Sequence, residues 1–141
     1  MRISIDEIRA VASLHRVMHA RAAQRDIDAI VRQDKDAYFF ARQELVDYLN
    51  GLEYAKVLEL ETLMEFGREW HHHADYEYDD EEPAAEFSVD IMSCFNNFRH
   101  FVGKPEGKKV AISYLIGKAL LPQYLHAALL HCNPDTITLP V

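Results

Sequence analysis

His71, His72 and His73 run straight into an acidic, tyrosine-bearing block, EWHHHADYEYDDEEPAAE, at residues 69–86. Imidazole nitrogens and carboxylate oxygens are ligands for zinc, nickel and other transition ions. His71 and Asp75 are four residues apart, as are His73 and Glu77. On a helix each pair would share a face and could clamp one ion. Against a helix stand seven acids within residues 75–86, which would repel one another. A catalytic ion would also need an oriented second shell of hydrogen bonds. The stretch is therefore expected to be a solvated acidic loop, with metal binding through His71 and His73 as the alternative.

The same block can dock a protein. Trp70, Tyr76 and Tyr78 are interleaved with Asp75, Glu77, Asp79, Asp80, Glu81 and Glu82. Aromatic side chains beside charge are typical of interface hot spots. Acids with spaced aromatics can also imitate a nucleic-acid strand to a basic partner. The plainer alternative has Trp70 capping the core and the tyrosines lying along the surface.

A second place of interest is RAVASLHRVMHARAAQR, residues 9–25, with four arginines, two histidines and no acid. His15 and His19 have the four-residue spacing of zinc-protease helices, but Arg16 stands where such a helix needs glutamate. His15 is instead expected at the edge of a packed stripe, hydrogen-bonded. The arginine spacing is read as spreading these cations around the helix. They could pair with the acidic segment, within one chain or across a homodimer.

Other enzyme signatures are missing: the sequence has no glycine-rich phosphate loop, G-x-S-x-G elbow or C-x-x-C. Cys94 falls on an apolar stripe and reads as core, and His100, six residues on, is not its helical neighbour. No cofactor is indicated. The net charge of −8 is local, because residues 69–98 hold nine acids and no Lys or Arg, against 14 acids and 15 bases elsewhere. That segment disfavours direct binding to nucleic-acid phosphates and attracts a basic protein or a cation.

With 141 residues, 49% apolar and 27% charged, the chain is expected to fold as one domain. The two cysteines, Cys94 and Cys132, make no disulfide framework. The N-terminus lacks a signal-peptide pattern, and no apolar run approaches the ~20 residues of a membrane span. A cytoplasmic protein with reduced thiols is expected, without membrane contact.

Apolar residues recur at steps of three and four, which predicts helices. Ile8, Val11, His15, Met18 and Ala22 mark the first, opened by a Ser4–Glu7 capping box. It runs from about residue 5 to the low twenties, or on to Val31. Phe39, Phe40, Leu45, Val46 and Leu49 mark the second, capped by Asn50-Gly51. Leu52 to Phe66 marks the third, ended by Gly67 and forming an antiparallel hairpin with the second. After the acidic loop, Pro83 opens a fourth helix on Phe87, Ile91, Phe95, Phe98 and Val102. KKVAISYLIG and LPQYLHAALLHC complete a single compact all-α bundle of about six helices, with Tyr114 and Tyr124 as packing anchors.

Two segments, residues 42–69 and 111–130, resemble the two ends of the DUF3775 family, a bacterial family of unknown function. The likeness rests on Gly67-Arg68 and on Tyr114, Leu115, Gly117, Leu120, Leu121, Tyr124 and Leu125, and covers residues 40–131. Glu69-Trp70 stands where the family has Gly-Asp, and Ala119 where it often has Pro. The resemblance implies a helical fold and carries no reaction, cofactor or partner. The leading expectation is a non-enzymatic interaction module, a regulator, immunity protein or inhibitor, that meets a basic partner through segment 69–86. The alternatives are a metal-binding protein or metal-dependent enzyme using His71, His73 and nearby acids, and a structural homodimer joined by its opposite charges.

Overall fold

The computed structural model describes residues 2–75 and 107–131, with the backbone alone at 69–75 and 131. The fold is all-α. Among the described residues six helices follow in order: α1 (Ile5–Ala23), α2 (Ile27–Arg32), α3 (Ala37–Gly51), α4 (Tyr54–Asp75), α5 (Gly107–Ile116) and α6 (Leu121–His131). The stripe expected on Phe87–Val102 and both cysteines lie outside the described residues.

The capping box of α1 forms as expected. Ser4 accepts from the Glu7 N–H at 3.1 Å, and the Glu7 carboxylate accepts from the Ser4 N–H. Glu7 also takes the Lys56 ammonium at 3.0 Å, which ties the start of α1 to the start of α4. The backbone N–H of Arg2, in the segment before α1, donates to both oxygens of Glu59 on α4 at 2.9 Å. Ile8, Val11, His15 and Met18 are buried as the stripe predicts, and Ala22 is exposed. Helix α1 stops at Ala23, and residues up to Arg32 form the separate α2, capped by Asp26 accepting from Ala29. This short helix buries nothing; Ile27 is 77% exposed.

Helix α3 keeps Leu45, Val46 and Leu49 of its expected stripe on the core and departs from it at Phe39 and Phe40. Ala41, Leu45 and Leu49 are buried, whereas Phe39 and Phe40 are exposed and meet edge to face at 5.5 Å. Gly51 is the last helical residue and not a left-handed cap; Leu52 is the cap, extended at φ −81° and buried. That extended residue turns the chain out of the hairpin path. Helices α3 and α4 consequently do not pack along their lengths, and the expected antiparallel pair is absent among the described residues. Instead α1 packs on α3 and α6, α4 packs on α6 and α5, and α5 closes the cycle against α3.

Gly67 does not end its helix either. A Cβ there would lie 1.7 Å from the carbonyl oxygen of Tyr124 and 3.1 Å from the N of Ala128. The glycine is the point where the α4 and α6 backbones touch. Its poor helix propensity, about 1 kcal/mol below alanine, is offset by that close approach. The surrounding contact is built from Leu60, Leu63 and Met64 with Leu121, Leu125 and Ala128, all buried.

Candidate functional site

Helix α4 carries the beginning of the acidic aromatic segment. Trp70, His71, His73 and Asp75 lie on its last two turns, so residues 69–75 are helical where a loop was expected. Two physical facts account for this. Extending an existing helix adds a backbone hydrogen bond for each residue fixed, whereas starting one is costly. Residues 69–75 also hold only two acids, Glu69 and Asp75, so the dense repulsion begins beyond them. Tyr76, Glu77, Tyr78, Asp79, Asp80, Glu81 and Glu82 lie outside the described residues. Helical register sets His71 and Asp75 one turn apart on one face. It sets His73 about 200° around the axis from His71, so a helix does not offer both imidazoles to one ion. Among the described residues no three His, Cys, Asp or Glu side chains gather around a metal position.

Upstream on α4, three glutamates are buried: Glu59, Glu61 and Glu65. Glu59 is satisfied by the Arg2 N–H. Glu65 accepts a short 2.6 Å hydrogen bond from the Tyr114 hydroxyl on α5 and faces Arg68 at 3.4 Å. Glu61 is 4% exposed. Burial, and then the charge of Glu65 one turn on, push its carboxyl up to about 7. Burial, then the bond to Glu65 and the charge of that carboxylate, push the Tyr114 hydroxyl up to about 12. The group therefore holds one carboxyl that exchanges a proton near neutrality, beside a phenol that stays protonated and donates.

These residues were missed by spacing alone, although a signal was present. In LELETLMEF, residues 58–66, glutamates alternate with large apolar residues all around the helix, so some of them had to be buried. Tyr124 is buried as an anchor, but Tyr114 is partly exposed and serves as a hydrogen-bond donor.

On α1, His15 is wholly buried and lies inside the stripe, where its edge was expected. Its Nε2 donates to the carbonyl of Ile116 at 3.2 Å, and its ring stacks on His19 at 4.9 Å. Burial, foremost, lowers its pKa, which favours the neutral ring. Among the described residues its Nδ1 atom has no partner. The arginines separate into two groups. Arg25 pairs with Asp36 at 2.7 Å and lies over the Tyr38 ring, and Arg21 donates to Gln24. Arg9 and Arg16, seven residues apart and so on one face, line a common cleft between α1 and α6.

No known protein family, curated protein or solved structure matches this chain. No described helix is long and apolar enough to cross a membrane.

Proposed function

We propose that this protein is a non-enzymatic interaction module that meets a basic protein partner through segment 69–86. The observation that carries the reading is the charge partition: nine acids and no Lys or Arg in residues 69–98 of a chain otherwise near balance. Helix α4 supports it by carrying the chain from a packed region, where Gly67 meets α6, through Trp70 to Asp75. Aromatic anchors on an ordered stem lose less conformational freedom on binding than anchors on a free chain. Regulation, toxin immunity and inhibition of a nucleic-acid-binding machine are the roles such a surface fits, in a cytoplasmic setting with reduced thiols. The likeness to the DUF3775 family belongs to this proposal, and its two helical segments touch at Gly67 and Tyr124.

The test compares the wild-type chain with a variant carrying Asp79→Asn, Asp80→Asn, Glu81→Gln and Glu82→Gln. The expected result is a discrete basic protein bound stoichiometrically by the wild type, released by salt and lost with the variant. Identical binding profiles for the two chains would remove the reading.

One observation favours a second reading: His71 and Asp75 stand one turn apart on a helix. Native mass spectrometry of untagged protein, purified without added metal, separates the two. One transition ion per chain, lost in His71→Ala with His73→Ala, would make the segment a metal site. The same spectrum distinguishes a monomer from a homodimer.

A further inference from the structure

Helices α1 and α6 pack together but leave an open cleft of about 380 Å³ between them. That is within the ~300–1,000 Å³ of ordinary small-molecule sites. Its floor is apolar. Ala12, buried at the contact, is small enough to leave the space, and Leu125 and Leu129 face it from α6. Leu130 at the margin is 69% exposed, so apolar surface continues from the floor to the rim. The rim is cationic and hydrogen-bonding: Arg9, Ser13 and Arg16 from α1, His126 from α6. The seven residues from Arg9 to Arg16 are two helical turns, a rise of about 10 Å, with Ser13 between them.

The charge of this cleft runs against that of the molecule. The chain carries −8, yet no acid lines the cleft, and neither residues 9–25 nor α6 contains one. Arg2, Arg25, Arg32 and Arg68 each pair with a carboxylate, and Arg21 and Arg42, away from the cleft, do not among the described residues. Arg9 and Arg16 have no ion-pair partner among the described residues. Two guanidinium groups above an apolar floor would attract a carboxylate, which arginine binds through paired N–H donors. A phosphate backbone would need a longer basic stripe and would be repelled by the molecule as a whole.

We propose that the α1–α6 cleft is a binding site for an amphipathic organic anion, a carboxylate with a medium-length apolar chain. The chain lies on Leu125 and Leu129, and the carboxylate is held by Arg9 or Arg16 with Ser13 as an added donor. None of the lining residues belongs to segment 69–86, so this inference and the reading above stand or fall separately.

The experiment titrates decanoate into the full chain, followed by calorimetry and by amide chemical shifts, with decanol as the uncharged comparison. Saturable one-to-one binding is expected, with shifts centred on α1 and α6. Decanol should bind at least about tenfold more weakly, and so should decanoate to the Arg9→Gln, Arg16→Gln double variant. Leu129→Asp, which sets an acid on the floor, should abolish binding while the helical spectrum is kept. No saturation below about 1 mM, equal affinity for decanoate and decanol, or unchanged binding by the double variant would each overturn the proposal. So would a second copy of the chain, or an acidic peptide, occupying the cleft in preference to decanoate.

Discussion

The buried glutamates of α4 and the arginines of the α1–α6 cleft are opposite treatments of charge within one small fold. Glu59 and Glu65 are withdrawn from water and given donors, and Glu61 is withdrawn and held where its proton is retained near neutrality. Arg9 and Arg16 remain in water, and no carboxylate among the described residues meets them. A buried charge must be partnered or neutralised for the fold to stand, because desolvation costs several kcal/mol per ion. An exposed, unpaired cation carries no such obligation. The glutamates of α4 are therefore structural first, whereas the cleft arginines are held by no carboxylate among the described residues.

Helix α6 is shared by both regions, since it packs on α4 by one side and forms the cleft with α1 by another. Gly67→Ala strikes that shared element and should have the largest effect. The added methyl must displace the backbone at Tyr124, which nothing flexible can absorb. We expect a loss of about 3 kcal/mol or more by urea denaturation, together with disturbed amide shifts along the cleft wall of α6. Elsewhere in a helix the same change would gain about 1 kcal/mol. A stabilised variant would show that α4 and α6 do not approach so closely.

The next effect isolates Glu61. Its folded pKa, about 7, lies above the ordinary 4.5, so the folded state holds its proton more tightly than the unfolded state does. The stabilising contribution is fully present below about pH 4.5 and is lost as pH rises through 7. Glu61→Gln keeps the shape and removes the titration. At pH 8 the variant should be more stable than the wild type by about 1–2 kcal/mol after allowance for solvent screening. At pH 4 the difference should vanish. Parallel stability curves for the two proteins from pH 4 to 8 would mean that Glu61 is ionised and solvated in the fold.

Tyr114→Phe should cost about 1 kcal/mol by thermal denaturation, because it removes one donor from the Glu65 carboxylate while Arg68 remains. No change at all would place Glu65 in water and weaken the contrast with the cleft.

How far these two regions could be read from the residues differs for physical reasons. The helical class and the start of α1 were legible, because Ser4, Glu7 and the spacing of Ile8, Val11 and Met18 are local signals. Gly67 misled because the same residue type serves as a helix cap and as a crossing point, and only the partner backbone decides which. The hairpin failed in the same way: two linking residues predict an antiparallel return, and the extended Leu52 sends α4 elsewhere. Phe39 and Phe40 read as core because they are large and apolar, yet Phe40 is 60% exposed, since α1 meets α3 through Ala41, Leu45 and Leu49. The acidic segment was conspicuous as composition, and its first seven residues are helix. The cleft was invisible because its walls come from residues more than a hundred positions apart, and because four arginines read together as spread around α1 hide the two, Arg9 and Arg16, that share a face.

The smallest expected effect is the most discriminating. Arg9→Gln with Arg16→Gln should leave stability within about 0.5 kcal/mol of wild type, because neither guanidinium has an ion-pair partner among the described residues. Arg25→Gln, which breaks the bonds to Asp36 and the carbonyl of Asp34, should lower the melting temperature measurably beyond the double variant. Urea and thermal curves on the three proteins make the comparison. If the double variant is the less stable, Arg9 and Arg16 are already engaged by the fold, and the difference between buried acids and free cations disappears. If it is neutral, neither guanidinium holds the fold, and the contrast stands: the acids of α4 are spent on packing, while the cationic rim over the apolar floor is left for an anion to meet.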